Sequence, residues 1–167
     1  FRDMRIHPIY EGTTGIQGMD LLGRKVMMKN GAGFAAFVEE VKADLAKARE
    51  TADLAPHAER LEQNLELLQT VTRAKAAQAG KGDLEVFLAD ATLYLEQFGL
   101  VAVAWQWLKQ GVAAAAALAA GPGGEREAFL KGKLVAMRYV FHYELPKTAG
   151  LAARLLEEGP ITAHLGD

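Results

Sequence analysis

The chain has 167 residues, half of them hydrophobic and about a quarter charged, which is the composition of a folded globular protein and excludes a disordered chain. Its formal net charge of -2, from 19 basic and 21 acidic residues, provides no electrostatic footprint for nucleic acid. The absence of cysteine excludes a disulfide framework and a thiolate metal site, and it is compatible with a reducing cytoplasm.

The N-terminal part of the sequence lacks helical periodicity up to about residue 15 and then changes character. Pro8 and the glycines of this stretch predict an extended segment that enters a turn. From Thr13 or Thr14, either of which could be the N-cap, the apolar spacing predicts a helix that Asn30 and Gly31 end. The stretch has neither an initiator Met nor a signal-peptide pattern, so we expect the sequence to be a piece of a longer protein.

Residues 30–33, Asn-Gly-Ala-Gly, form the one clear linker in the sequence. We therefore predict a domain boundary there, with 1–30 as the tail of one domain and 31–167 as a helical extension. Beyond the linker, hydrophobic residues recur at three- and four-residue spacing, which predicts amphipathic helices. These helices are expected from Phe34 to Ala48, from Pro56 to about Gly80, from Leu84 up to Ala120, from Phe129 to Leu145 and from Leu151 to Glu158.

Counted from the helix that starts at Thr13 or Thr14, the fourth predicted helix runs from Leu84 up to Ala120 and would be roughly 55 Å long if unbroken, at a rise of ~1.5 Å per residue. Gly99 and Gly111 are the positions at which it could bend. Residues 98–120 are apolar over a length that could span a bilayer, but they include Lys109, two glutamines and a run of weakly hydrophobic alanines. We therefore expect a buried bundle helix and no transmembrane segment.

No segment shows the sustained alternation of apolar and polar residues that is typical of a strand. The predicted fold is all-α: an antiparallel up-and-down helical bundle built from Phe34 onward, with the extended N-terminal segment attached to its side. Such a bundle buries the apolar stripes of its helices against one another.

The most informative stretch for function is residues 5–17, Arg-Ile-His-Pro-Ile-Tyr-Glu-Gly-Thr-Thr-Gly-Ile-Gln. It places one carboxylate, Glu11, directly before a Gly-Thr-Thr-Gly turn at a predicted helix start, where backbone N–H groups favour an anionic or phosphate-bearing ligand. A glutamate before a helix can also simply complement the helix dipole, so the spacing alone leaves both interpretations open.

This stretch closely resembles the motif near the C-terminus of the acyl-CoA dehydrogenase family, and the residues that follow it resemble the bacterial members. Residues from about Phe34 onward look like the added helical domain of the larger bacterial members, which are similar to enzymes acting on methylthio-propanoyl-CoA. The matching residues are Asp3, Arg5-Ile6, Ile9-Tyr10-Glu11-Gly12-Thr13, Ile16-Gln17 and Asp20-Leu21-Leu22-Gly23-Arg24-Lys25.

The resemblance implies that Glu11 is catalytic and that the cofactor is FAD. In that family, this glutamate removes the proton α to the thioester carbonyl while a hydride leaves the β-carbon for the flavin, which yields a trans-2-enoyl-CoA. A base of this kind needs a pKa raised by desolvation under the substrate, and the backbone N–H of Glu11 would help to stabilise the enolate-like oxygen. The resemblance also implies that Thr13 and Gly15 lie against the FAD. Tyr10 would line the acyl pocket, where it and Glu11 contact the substrate.

The resemblance further implies that the whole enzyme is a cytoplasmic homo-oligomer that passes electrons to a carrier such as an electron-transfer flavoprotein. The parts that enclose FAD and CoA precede this motif in the family, so we expect the 167-residue chain alone to be inactive and not to retain FAD. A different interpretation is that the chain is a helical interaction or oligomerisation module whose N-terminal stretch only resembles the motif.

Other polar and aromatic residues give weaker indications. His142, Tyr143 and Glu144 are adjacent in sequence and therefore point in different directions on a helix, which argues against a metal or catalytic site. His57 lies at a charged helix start and is expected to be solvated, whereas Trp105 fits the apolar stripe of its helix.

Overall fold

The structure, a computed structural model, describes residues 2–6, 9, 12–157 and 159. Every regular element among these residues is helical and none is a strand, which confirms the all-α prediction. The helices of the described part are α1 (Thr14–Asp20), α2 (Met28–Arg49), α3 (Ala55–Ala79), α4 (Leu84–Leu88), α5 (Ala91–Ala119), α6 (Gly124–Tyr139) and α7 (Lys147–Leu156). Shorter turns are a 3-10 turn at Asp3–Ile6 and π-helical turns at Leu21–Lys25 and Val140–Glu144.

Helix α5 is the central helix of the fold. It packs against α1, α2, α3, α6 and α7, and its buried residues recur at helical spacing. Tyr94, Val101 and Leu108 on this face are at most 1% exposed. Full burial of one such side chain stabilises the folded state by ~1.5–3 kcal/mol, so the contacts of α5 hold the surrounding helices together.

Helices α2 and α3 are joined by a short turn and pack against each other as an antiparallel pair. Pro56 lies in the first turn of α3, where a missing backbone N–H breaks no helical hydrogen bond. Val41 and Leu45 on α2, together with Leu65 and Leu68 on α3, are at most 1% exposed. These residues belong to the apolar stripes that the sequence predicts, so both helices and their buried faces are confirmed.

The predicted long fourth helix is broken at Asp90, and not at either of the suggested glycines. Gly99 and Gly111 both lie inside α5. Asp90 leaves the helical conformation (φ -101°, ψ 20°). Its carboxylate accepts a hydrogen bond from Arg154 at 3.1 Å and lies 3.8 Å from the ammonium group of Lys75. These tertiary partners favour the break over one continuous helix, because a carboxylate that is 10% exposed needs its charge compensated.

The stretch Leu84–Ala119, made of α4 and α5, is long and apolar enough to cross a membrane, with a mean hydropathy of 1.4 in its most apolar window. A third of that window is buried inside the protein. The core helix of a bundle meets the same criterion of length and composition. The contacts of α5 with five other helices favour the bundle helix that the sequence predicts.

The predicted fifth helix ends earlier than expected, and the last helix begins earlier. Helix α6 ends at Tyr139, a π-helical turn follows, and α7 starts at Lys147 instead of Leu151. Pro146 occupies the N-cap of α7, where no helical hydrogen bond is lost through its missing N–H. The kink directs α7 back against α5 and α3.

The segment before α2 differs from the predicted one in two ways. Asp3–Ile6 form a 3-10 turn instead of an extended segment, because local hydrogen bonds satisfy backbone groups that an isolated extended chain leaves to solvent. Leu22 and Val26, which are 0% and 4% exposed, belong to the same core as the later helices. The core therefore begins before Phe34, where the predicted bundle starts.

Lys29, Asn30 and Gly31 adopt left-handed backbone angles (φ 51°, 56° and 80°) within the bounds of α2. The helix end that the sequence predicts at Asn30 and Gly31 thus takes the form of an abrupt left-handed turn. Glycine adopts this conformation readily and asparagine tolerates it. At an ordinary residue such as Lys29, the left-handed conformation costs roughly 1–2 kcal/mol of conformational free energy. The predicted domain boundary between residues 30 and 31 falls at this turn and stays a prediction.

Candidate active site

Two of the four predicted site residues, Tyr10 and Glu11, lie outside the residues that the structure describes. The described part of the site starts at Gly12 and includes Thr13 and Gly15 at the beginning of α1. All three of these residues are exposed. A ligand therefore has direct access to this end of α1.

Thr13 occupies the N-cap position of α1 with a left-handed backbone (φ 57°, ψ 48°). Its hydroxyl donates to the carbonyl oxygen of Gly12 at 2.6 Å and makes no capping bond, while its own carbonyl accepts from the N–H of Gln17 at 3.0 Å. A β-branched residue in this region is a clear outlier that costs roughly 1–3 kcal/mol, and such strain is concentrated at functional sites. Of the two predicted N-caps, Thr13 thus has the position but not the capping hydrogen bond.

Gly12 and Gly15 are not required by packing within the described part of the chain. A Cβ atom built on either glycine would meet no heavy atom within 4 Å. At Gly18, by contrast, a Cβ atom would lie 2.8 Å from the carbonyl oxygen of Ala91. The bare backbone at Gly12 and Gly15, next to the first-turn N–H groups of α1, suits the close approach of a flat ring or an anionic group.

Helix α1 and the π-helical turn after it fix this end of the chain against the bundle. Gly18 lets the α1 backbone approach Ala91 of α5, and Leu22 is fully buried. On the outer side, Asp20 forms salt bridges with Arg24 at 2.5 Å and with Lys25 at 3.4 Å. The hydrogen bond from Arg24 is the main cause that lowers the pKa of Asp20. The predicted catalytic loop is therefore followed by a helix that packs closely against α5.

The outer side of the N-terminal segment exposes several large apolar side chains. Ile9 is 81% exposed and Ile16 is 61% exposed. Several large exposed apolar side chains within one short segment are expected where further protein or ligand packs on that segment. Among the described residues before α3, those of this type are Met4, Ile6, Ile9, Ile16, Met19 and Met28.

The weaker candidates of the sequence do not form a site. His57 is half-buried instead of solvated, because its ring packs edge-on against Phe141 with 5.2 Å between the ring centres. Burial lowers the pKa of His57. In the triplet 142–144, Glu144 forms a salt bridge with Lys147 at 2.6 Å, while the rings of His142 and Tyr143 pack edge-on against each other. No group of three metal-ligating side chains occurs within the described ranges.

A buried ionic cluster of Lys75, Asp90 and Arg154 was not apparent from the sequence. Lys75 is 2% exposed, donates to Gln78 at 3.2 Å and lies 3.8 Å from the Asp90 carboxylate that Arg154 also contacts. Burial lowers the pKa of Lys75, and the charge of Asp90 offsets part of this effect. The burial of Lys75 could have been predicted from its position, because it follows Thr72 by three residues and so lies on the apolar stripe of α3.

Known proteins match the chain along nearly its whole length. Residues 37–164 match the family profile described as acetyl-CoA dehydrogenase C-terminal like. The chain is 33% identical, over 99% of its length, to 3-methylmercaptopropionyl-CoA dehydrogenase of Ruegeria pomeroyi. It is 27% identical over 87% of its length to the broad-specificity linear acyl-CoA dehydrogenase of Mycobacterium tuberculosis, and 28% identical over 89% to butyryl-CoA dehydrogenase of Syntrophomonas wolfei.

The alignments also fix which part of these proteins the chain matches. It covers 28% of the Ruegeria protein and 24% of each of the other two, so it spans about a quarter of the length of the curated relatives. The matched profile describes a C-terminal region. The chain therefore belongs to the acyl-CoA dehydrogenase family and corresponds to its C-terminal part.

Proposed function

We propose that the chain is the C-terminal part of an FAD-dependent acyl-CoA dehydrogenase in which Glu11 is the catalytic base. The observation that carries this proposal is the similarity to 3-methylmercaptopropionyl-CoA dehydrogenase over 99% of the chain, which leaves almost no room for the stretch around Glu11 to be outside the match. The relatives are named for different acyl groups. The substrate is accordingly proposed as a class, the acyl-CoA thioesters.

The proposed reaction removes two hydrogens from adjacent carbons of the acyl chain. The Glu11 carboxylate takes the α proton, and the electron pair of that C–H bond forms the new double bond. Bound FAD supplies the acceptor for the hydride that leaves the β-carbon. For this role, the pKa of Glu11 has to be raised by desolvation when the substrate covers it. The backbone N–H of Glu11 would donate to the thioester oxygen as negative charge develops there.

The described residues at the start of α1 fit a neighbouring flavin. Gly15 offers bare backbone on an open side, and Thr13 has a left-handed backbone without a side-chain capping hydrogen bond. We infer that Thr13 and Gly15 would lie against the FAD ring system, and that Tyr10 lines the acyl pocket beside Glu11. Both inferences rest on the family motif, which the open surface at Gly12 and Gly15 supports.

The proposal extends to partners and location. Electrons would leave through a carrier such as an electron-transfer flavoprotein, and the enzyme would be a cytoplasmic homo-oligomer. The exposed apolar side chains between Met4 and Met28 support packing of this segment on further protein.

The substitution Glu11→Gln in the dehydrogenase tests the proposed base. It keeps the shape and polarity of the side chain but removes the basic carboxylate, so flavin reduction by an acyl-CoA should slow by roughly 10⁴-fold, the upper end of the range for general base catalysis. The affinity for acyl-CoA should change far less, because the interactions that hold CoA and the acyl chain remain. The measurement is the rate of flavin bleaching after anaerobic mixing with substrate.

The matched control is Glu125→Gln, which makes the same chemical change at an exposed position in the first turn of α6. This variant should reduce its flavin at the wild-type rate. Equal rates for Glu11→Gln and wild type would reject Glu11 as the base. That outcome would favour the interpretation of the chain as a helical interaction or oligomerisation module.

A further inference from the structure

A cavity of about 610 Å³ lies between the beginning of α2 and the second half of α3. This volume is within the range of small-molecule binding sites. The lining includes Val26 and Met27, which precede α2, but neither Thr13 nor Gly15. The cavity is therefore separate from the described edge of the proposed active site.

The two ends of this cavity differ in chemistry. Because α2 and α3 are antiparallel, Phe34 and Ala35 at the start of α2 face the same end as Ala76 on α3. Together with Val26 and Met27, these residues make that end apolar. The lining of α2 continues from Phe34 to Lys42, about 12 Å along the helix axis at ~1.5 Å per residue.

The other end of the cavity carries an excess of positive charge. Lys42, Arg73 and Glu39 are its charged lining residues, and Lys42 and Glu39 form an exposed ion pair at 3.5 Å. Arg73 is exposed and donates to the hydroxyl of Thr70 at 3.1 Å, and it has no acidic partner within salt-bridge distance among the described residues. A guanidinium group in this situation is well suited to bind a carboxylate through two parallel hydrogen bonds.

The left-handed turn at the predicted domain boundary also lines this cavity. Asn30 and Gly31, two of the three consecutive left-handed residues, line it. Strained backbone of this kind is concentrated at ligand clamps and switch regions. The cavity thus combines an apolar end, an exposed guanidinium without an acidic partner among the described residues, and a lining segment with left-handed backbone.

We propose that this cavity binds an anionic amphiphile, namely an unbranched aliphatic chain that ends in a carboxylate. The aliphatic chain lies between Phe34, Val38 and Ala76, and the carboxylate is held by Arg73 with Gln69 beside it. This binding site is additional to the proposed dehydrogenation, and its occupancy does not require flavin.

Isothermal titration of the 167-residue chain with decanoate, kept below its micellar concentration, tests the proposal. Decyltrimethylammonium has the same tail with the opposite charge, and propanoate has the same head group with almost no tail. Decanoate should bind at one site and at least about tenfold more tightly than either control, since decyltrimethylammonium lacks the charge-assisted contact to Arg73 and propanoate lacks most of the buried methylene groups. Equal affinity for decanoate and decyltrimethylammonium, or no binding of decanoate, would overturn the proposal.

Two variants locate the bound decanoate. Arg73→Gln should weaken decanoate binding about tenfold, whereas Arg126→Gln, the same change on exposed α6, should leave it unchanged. Ala76→Trp and Ala35→Trp each fill the apolar end from an exposed helix position and should abolish binding, with thermal unfolding as the check that each variant is folded. Undiminished affinity in a folded tryptophan variant, or equal effects of the two arginine substitutions, would place decanoate elsewhere and reject the site.

Discussion

Tyr94 links the stability of the bundle to pH through a single buried hydroxyl. Its side chain is fully buried, and its hydroxyl shares a hydrogen bond of 2.7 Å with the hydroxyl of Thr72. Burial raises the pKa of Tyr94 from 10.0 to about 12, and the hydrogen bond with Thr72 offsets only part of this effect. The unfolded chain therefore releases this proton near pH 10 while the folded chain retains it, so stability is lost as the pH rises from 10 towards 12.

The substitution Tyr94→Phe should remove this pH dependence. Between pH 10 and pH 12, the free energy of unfolding of the wild type should fall by roughly 2 kcal/mol more than that of Tyr94→Phe, because the unfolded Tyr94 is already half ionised at pH 10 and the folded one is only half ionised at pH 12. Urea unfolding at a series of pH values measures the difference. Tyr139→Phe, at a position that is 55% exposed, should follow the wild type. Parallel curves for wild type and Tyr94→Phe would contradict the linkage.

Single residues show where sequence reasoning stops. The motif identified Glu11 as a candidate because residue types in a fixed order carry that information without any structure. The burial of Lys75 could have been read from its place on an apolar stripe, but its partners Asp90 and Arg154 could not. Helical spacing tells which face a residue occupies and does not tell which distant residue packs against that face.

At the scale of elements, the contact between α1 and α5 depends on one glycine. Gly18 is buried, and a Cβ atom there would lie 2.8 Å from the carbonyl oxygen of Ala91 and 2.9 Å from its carbonyl carbon. Both of these atoms are backbone of α5, which cannot rotate away as a side chain could. The two helices therefore touch through backbone, and a larger residue at Gly18 has to push them apart.

The pair Gly18→Ala and Gly99→Ala should change stability in opposite directions. Alanine is the better helix former by about 1 kcal/mol, so Gly99→Ala, where a Cβ atom meets nothing within 4 Å, should stabilise the protein by roughly 0.5–1 kcal/mol. Gly18→Ala should instead destabilise it by roughly 1–3 kcal/mol through overpacking against Ala91. Denaturant unfolding of both variants measures the two effects. Stabilisation by Gly18→Ala would show that α1 is not held against α5 in this way.

Helices with uninterrupted apolar stripes were predictable, and breaks that depend on tertiary contacts were not. The stripes of α2 and α3 are continuous in sequence, and both helices form where expected. The break at Asp90 depends on Arg154, which lies on α7, the third helix after the break. The interruption after Tyr139 does have a local signal, because Pro146 predicts that the helix ends or kinks there, but the π-helical form of the turn over Val140–Glu144 could not be read from its residues.

In the described part of the molecule, the other helices of the core pack around α5. The buried position of Leu68 on α3 allows a test of this core. Leu68 is 0% exposed on α3, so Leu68→Asp buries an unpaired charge at a cost of several kcal/mol out of the ~5–15 kcal/mol available to a domain. Circular dichroism should show a lost or strongly lowered thermal transition. Leu84→Asp makes the same substitution at a position that is 65% exposed and should be nearly neutral. An unchanged transition in Leu68→Asp would exclude this face from the core.

Leu22 and Val26 precede the left-handed turn at residues 29–31 but pack in the core that the later helices build. A chimaera that transplants only residues 31–167 into another dehydrogenase would therefore lack Leu22 and Val26. The corresponding helix of the recipient would have to fill the two places that these side chains occupy in the core. A recipient with any side chain in the place of Gly18 would also collide with the backbone at Ala91. We therefore expect α1 through α7 to be the better unit for exchange, with the splice point ahead of Thr14.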